Sequence, residues 1–251
     1  MKPPAANGTA SLEPTIQTRV SLSEYTTFRL GGPCRTLINC QTPQQLESII
    51  PKLMERREEF ILIGGGSNLV VADAGLNTTV IRYVSPSPLI QYEGNDFLVS
   101  GSTLLDDAAL SAAEHSLEGL NYASGIPGTV GGAVVGNAGA FGRQVGDYLK
   151  SVCVISKLGI KKEVPPPELE FAYRHSNLKE SGGIVLAARF ALTPGDRAKL
   201  RDERAEILKI RQEKHPSMET FPCAGSFFRN IEPTSKPNAV RRPAVFWKSR
   251  A

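Results

Sequence analysis

The stretch SGIPGTVGGAVVGNAGAFG, residues 124–142, carries seven glycines and no charged side chain. So much glycine disfavours a long helix or strand, and it lets main-chain amides approach a ligand closely. One Gly-Gly pair is ordinarily a turn or bulge, but a second run, GGGSN at 64–68, closes the apolar segment FILI. Neither run is a lysine-bearing phosphate loop, because no lysine lies between Lys52 and Lys150. Nor is either a dinucleotide fingerprint, since Leu69 stands where G-x-G-x-x-G needs its third glycine. What remains is a polyphosphate, such as a dinucleotide pyrophosphate, held between two loops by backbone amides and by Ser67, Asn68, Ser124, Thr129 and Asn137.

Composition narrows the class. The chain of 251 residues is 41% hydrophobic and 22% charged, typical of a globular protein of one large or several small domains. No segment reaches the roughly 18 consecutive apolar residues of a membrane helix. The first twenty residues lack the apolar core of a secretory signal, so a cytoplasmic protein is expected. The net charge of +4 is concentrated at the end: six cations against Glu232 alone make residues 229–251 +5, which leaves −1 for the other 228. That balance argues against a nucleic-acid partner. Four dispersed cysteines and three histidines include no C-x-x-C pair, so no metal site is expected and the thiols read as reduced and mostly buried.

Along the chain, residues 1–20 read as a flexible lead-in and TTFRLGGPCRTLINC as strand residues about a Gly-Gly-Pro turn. TPQQLESIIPKLMERREE reads as a helix capped by Thr42 and kinked at Pro51. FILI reads as a buried strand, TTVIRYV and FLVSGSTL as further strands, and TLLDDAALSAAEHSL as a helix capped by Thr103. Strands follow at SVCVISKLG, KKEVPPPEL and GIVLAARFALT, and then a helix begins near Thr193–Pro194. Charged on most faces, that helix reads as a solvated linker. Without a regular β-α-β rhythm the fold class is α+β. The expected divisions are a flexible segment 1–20, units 21–80 and 81–194, and a C-terminal portion 195–251.

TTFRLGGP, IGGGSNLVVAD, GLNYASGIPGTVGGAVVGNAGAFG, LEFAYRHSNLKE and AGSFFRN occur in the order found in UDP-N-acetylenolpyruvoylglucosamine reductases, and over residues 22–230 the chain resembles that family. The resemblance implies an FAD-binding fold of the vanillyl-alcohol-oxidase type, in two subdomains, with a third subdomain over the substrate. It implies NADPH as reductant, a UDP-sugar as substrate and a place in peptidoglycan synthesis. Gly64, Gly65, Gly66, Ser67, Asn68, Ser124, Gly125, Ile126, Pro127, Gly128, Thr129, Gly131, Gly132, Asn137 and Gly139 would hold FAD, their glycines sparing the cofactor a collision. Ser226 matches the proton donor and Arg174 the cation that holds the substrate carboxylate; Tyr173 and Asn230 are candidate substrate contacts and His175 orients a loop. A monomer is expected, of the shorter subclass. The substrate domain should be incomplete: no glutamate follows Glu232, so the family's second acid has no matching position, and the Pro- and Arg-rich ending reads as a truncated or frame-shifted continuation in preference to an arm that binds an anionic partner. The competing readings are a non-catalytic flavin-binding remnant and another oxidoreductase of the same flavin superfamily.

Overall fold

In the computed structural model, residues 13–215, 217 and 220–226 are described. The first unit is a four-stranded sheet of order β1-β2-β4-β3, from Thr15–Ser21, Pro33–Cys40, Leu76–Tyr83 and Phe60–Ile63. β2, β4 and β3 are parallel, and β1 lies antiparallel along the edge of β2. β1 corrects the sequence reading, which placed 15–20 in a flexible lead-in. Its residues are exposed through Arg19, so no buried stripe marks it; backbone pairing to β2 orders it instead.

Helix α1, Pro43–Glu55, crosses from β2 to β3. The Thr42 hydroxyl accepts from the Gln45 amide at 3.3 Å, and the Gln45 side chain accepts in return from the Thr42 amide at 3.4 Å. The helix continues through Pro51, whose ring is on the exposed side. Leu46, Ile49, Ile50 and Leu53 are buried, each worth about 1.5–3 kcal/mol relative to exposure.

The second sheet is antiparallel, of order β11-β10-β12-β6-β5, from Lys161–Val164, Leu149–Ile155, Ile184–Ala191, Asp96–Ser100 and Ile90–Glu93. Helices α2, Leu105–Glu114, and α3, Val130–Val135, share one core with Val152, Val185, Ala188 and Phe190 of this sheet. On its opposite face, Ile155, Ile184 and Leu186 join α1 and the first sheet's Ile38 and Ile81 in another core. α1 is therefore packed against both sheets, and the Tyr83 hydroxyl donates to the Leu186 carbonyl at 3.1 Å across them.

The expected division at residue 80 falls inside β4, and that at Pro194 falls inside β13, Thr193–Pro194, which pairs with β7, Leu117–Glu118. Two-residue strands β8, Gly139–Ala140, and β9, Arg143–Gln144, close the glycine-rich stretch; α4, Leu178–Ser181, precedes β12. α2 is not capped by Thr103: its N-cap is Leu104, without a side-chain cap bond, and the Thr103 hydroxyl pairs with that of Ser100 at 3.0 Å. The last helix, α5, spans Arg197–Lys214 and starts at Asp196, whose carboxylate accepts from the Ala198 and Lys199 amides at 2.8 and 3.1 Å.

Candidate functional site

β3 ends at Ile63 and delivers the chain into Gly64–Asn68, while the turn after Ala123 delivers Ser124–Thr129 to the N-terminus of α3. These two loops meet. The Ser67 hydroxyl donates to the Pro127 carbonyl at 3.1 Å. A Cβ on Gly65 would stand 3.6 Å from the Gly128 Cα, one on Gly64 would stand 2.4 Å from the Thr129 hydroxyl, and one on Gly128 would stand 2.7 Å from the Ser67 hydroxyl.

The glycines thus serve a purpose that their sequence did not show. Gly64, Gly66, Gly125, Gly128 and Gly139 all lie where a Cβ would come within 3.0 Å of protein atoms, so close approach of chain to chain requires them. Gly66, at φ 65°, is backed by Tyr25, whose carbonyl would be 2.0 Å from its Cβ. Gly65 and Gly132 have ordinary room instead.

Hydrogen bonding separates structural amides from available ones. The N–H of Gly125 is taken by Asp106, and those of Ile126, Val130 and Gly131 by the carbonyls of Ala123, Thr103 and Gly101. Gly132 donates to Thr129, whose hydroxyl caps α3. Among the described residues, the amides of Gly65, Gly66, Ser67 and Asn68, and of Gly128 and Thr129, donate to no protein acceptor. Six donors on two touching loops, with no lysine in either, fit a diphosphate in charge and in donor chemistry. The residues present therefore fit FAD.

Two expected cofactor residues occupy structural positions. Ser124 is fully buried, with its carbonyl accepting from Arg211 at 2.7 Å. Asn137 is 1% exposed, and its side chain donates to Gln144 and to the Ala172 carbonyl, both at 3.0 Å, and accepts from the Gly146 amide at 3.0 Å.

The bond from Asn137 to Ala172 fixes the turn that carries Arg174. Ala172 and His175 exchange backbone bonds at 3.2 and 3.1 Å, leaving Tyr173 and Arg174 at the tip, and Ser176 donates to the Val135 carbonyl at 2.8 Å. Arg174 is at φ 58°, in the left-handed region unusual for a long side chain. It is exposed; its guanidinium donates to the Gly139 carbonyl at 2.8 Å and lies 5.6 Å from the Tyr173 ring centroid. His175 lies 3.6 Å from Glu180.

Ser226 approaches from α5. Cys223 donates its amide to the Thr27 carbonyl at 3.2 Å and accepts from the Thr27 hydroxyl at 2.6 Å. A Cβ on Gly225 would stand 3.4 Å from the Asn68 side-chain oxygen, so the residue before Ser226 lies against the first glycine loop. Asn230 and the basic ending lie outside the described residues.

Sequence reasoning found the α5 helix but missed its role, for it is no solvated linker. Leu200 and Ile207 are buried, Asn121 donates to the Leu200 carbonyl at 3.0 Å and to Glu203 at 2.8 Å, and Arg204 pairs with Asp106 at 2.6 Å. Arg197 and Arg201 both bind Glu114. Burial opposes the charge on Asp106, but Arg204, the Gly125 amide and Arg211 outweigh it and hold the carboxyl below its ordinary range. The signal was present in the 4-3-4 spacing of Leu200, Arg204, Ile207 and Arg211, a single helical stripe of mixed character.

Comparison with known proteins points to the same cofactor class. A family model described as an FAD binding domain matches residues 35–161. A UDP-N-acetylenolpyruvoylglucosamine reductase of Lactobacillus acidophilus is 34% identical over 85% of this chain and 71% of its own length. One of Clostridium beijerinckii is 36% identical over 88% and 71%. The crystal structure of the Thermus caldophilus enzyme superposes with a TM-score of 0.73 at 32% identity, over 87% of this chain and 76% of that one. The α+β architecture of the flavin-binding fold is confirmed by that match. The chain belongs to the UDP-N-acetylenolpyruvoylglucosamine reductase family and is an FAD-dependent oxidoreductase.

Proposed function

We propose that this chain catalyses the NADPH-dependent reduction of UDP-N-acetylenolpyruvoylglucosamine to UDP-N-acetylmuramate, a step of peptidoglycan synthesis. The observation that carries the reading is the seating of the Ser226 segment, through Cys223 and Gly225, on Thr27 and the Ser67–Asn68 loop. The candidate proton donor would thereby sit beside the candidate flavin cradle.

The amides of Gly65–Asn68, Gly128 and Thr129 would hold the diphosphate of FAD. When bound, FAD supplies hydride chemistry, passing two electrons from NADPH to the distal vinyl carbon of the substrate. Arg174 would bind the substrate carboxylate, where negative charge builds as the double bond is reduced; its planar fork suits a carboxylate in two-pronged fashion. Ser226 would then give its hydroxyl proton to the carbon that bears the ether oxygen, completing addition of hydride and proton across the double bond. A serine hydroxyl is a weak acid, so the step depends on the charge held beside it and on exclusion of water. Tyr173 would flank the same carboxylate.

Anaerobic mixing tests the assignment. NADPH should bleach the flavin absorbance and the enolpyruvyl nucleotide should restore it. In Ser226→Ala the bleaching should persist and the recovery should fail. A flavin that NADPH does not bleach, or equal loss of both half-reactions in the variant, would overturn the reading.

A further inference from the structure

The turn at Ser124–Gly125 is held from two helices that are distant in sequence. From α2, the Asp106 carboxylate accepts the Gly125 amide at 2.7 Å. From α5, Arg211 donates through Nε to the Ser124 carbonyl at 2.7 Å, and Arg204 donates to the same Asp106 oxygen at 2.6 Å. Packing matches the polar contacts: a Cβ on Gly125, at φ 70°, would stand 2.9 Å from both Arg211 Cδ and Leu208 Cδ2. The Arg211 guanidinium carbon also lies over the Phe141 ring, 5.8 Å from its centroid. The carbonyl and the amide of the Ser124–Gly125 peptide unit are therefore both fixed by charged groups, and only Ile126 and Pro127 separate that turn from the available amide of Gly128.

We propose that α5 is a brace for the cofactor site, in which Arg211 directly and Arg204 through Asp106 are positioning residues that fix the Ser124–Gly125 turn and set the affinity for FAD. The brace also couples the two glycine loops. α5 leads the chain into the segment that bonds to Thr27 and lies on Ser67–Asn68, so the element gripping the second loop delivers the residues that cover the first. Linkage then requires FAD to favour the docked helix as much as the docked helix favours FAD. This inference rests on FAD lying between the two loops.

The test is titration of FAD into the flavin-free full chain, followed by flavin fluorescence. Arg211→Met keeps the length of the side chain and removes its donors; it should weaken FAD binding by about tenfold or more, within the usual span of coupling between sites. Arg211→Lys retains a donor for the Ser124 carbonyl and should recover most of the affinity. Glu114→Gln loosens the other end of α5 without touching the turn, and should lower the thermal midpoint while leaving FAD affinity unchanged. Equal affinity in Arg211→Met and the unaltered chain, or an equal loss in Arg211→Met and Glu114→Gln, would overturn the brace. Amide exchange on the unaltered chain tests it without any substitution: FAD should slow exchange at 204–211 together with 124–126, and unchanged exchange along α5 would contradict it. Failure of the unaltered chain to take up FAD would remove the cofactor site itself, whereas unaltered uptake by Arg211→Met removes only the brace.

Discussion

The Ser67 hydroxyl donates to the Pro127 carbonyl at 3.1 Å, tying together two loops sixty residues apart in sequence. Around that bond the chain places available amides and almost no side-chain bulk. The candidate site is consequently a product of chain-to-chain fit, and its sensitivity to substitution follows from which glycines are tight.

Gly128 and Gly142 make a matched pair. Both have positive φ, 114° and 76°, but a Cβ at Gly128 would strike Ser67 whereas one at Gly142 meets nothing within 4 Å. Gly142→Ala should lower stability by about 1 kcal/mol from backbone strain alone and leave FAD affinity unchanged. Gly128→Ala should cost stability by more than that and weaken FAD binding severalfold, as read by thermal unfolding and flavin titration.

Acid should release α5. Arg201 and Arg197 hold Glu114 down to about 2, and Asp106 is also held below its ordinary value. Folded carboxyls that titrate lower than unfolded ones add stability that is complete above the ordinary carboxylate range, about pH 4, and is lost as pH falls through the folded values. Amide exchange in α5 should therefore accelerate between about pH 4 and pH 2 ahead of the buried strands, and Glu114→Gln should blunt that acceleration. A pH-independent ratio of α5 to strand exchange would contradict it.

Arg174 is held at the tip of its turn by Gly139 and Tyr173 and pairs with no carboxylate among the described residues, which leaves its charge available for an anion. Arg174→Ala should spare flavin reduction by NADPH and slow reoxidation by the enolpyruvyl nucleotide by about a hundredfold or more. Asn137→Ala, which strips the Ala172 carbonyl of its side-chain donor and the Gly146 amide of its acceptor, should impair the same half-reaction indirectly and also lower stability by about 1–3 kcal/mol.

The sheet hydroxyl of Tyr83 offers a test of how the two units are joined. Its donation to Leu186 crosses from β4 to β12, and the same carbonyl also accepts from the Gly101 amide at 2.8 Å. Tyr83→Phe should destabilise the chain by only about 0.5–1.5 kcal/mol, because the acceptor keeps a partner. Unfolding should remain a single transition.

Local chemistry made parts of this structure legible in sequence. Thr42 and Pro43 announce the start of α1 because an N-cap and a proline at the first helical position stand side by side, and FILI followed by glycines marks β3 and its loop. Long-range relationships were hidden. β1 is an edge strand with no buried stripe over most of its length, and Thr103 spends its hydroxyl on Ser100 instead of a helix cap. Arg204 and Arg211 look like solvated charge until Asp106 and the Ser124 carbonyl, about a hundred residues upstream, are brought to them. The number of glycines was plain, yet their division between tight packing and open amides depends on which loop faces which.

Backbone amide resonances recorded with and without FAD test the central claim most directly, that unencumbered main chain on two converging loops holds the cofactor's diphosphate. The account predicts that the amides of Gly65, Gly66, Ser67, Asn68, Gly128 and Thr129 shift strongly and become protected from exchange, while the resonance of the Gly125 amide, already bonded to Asp106, shifts little. FAD bound stoichiometrically with those six amides unmoved would contradict it.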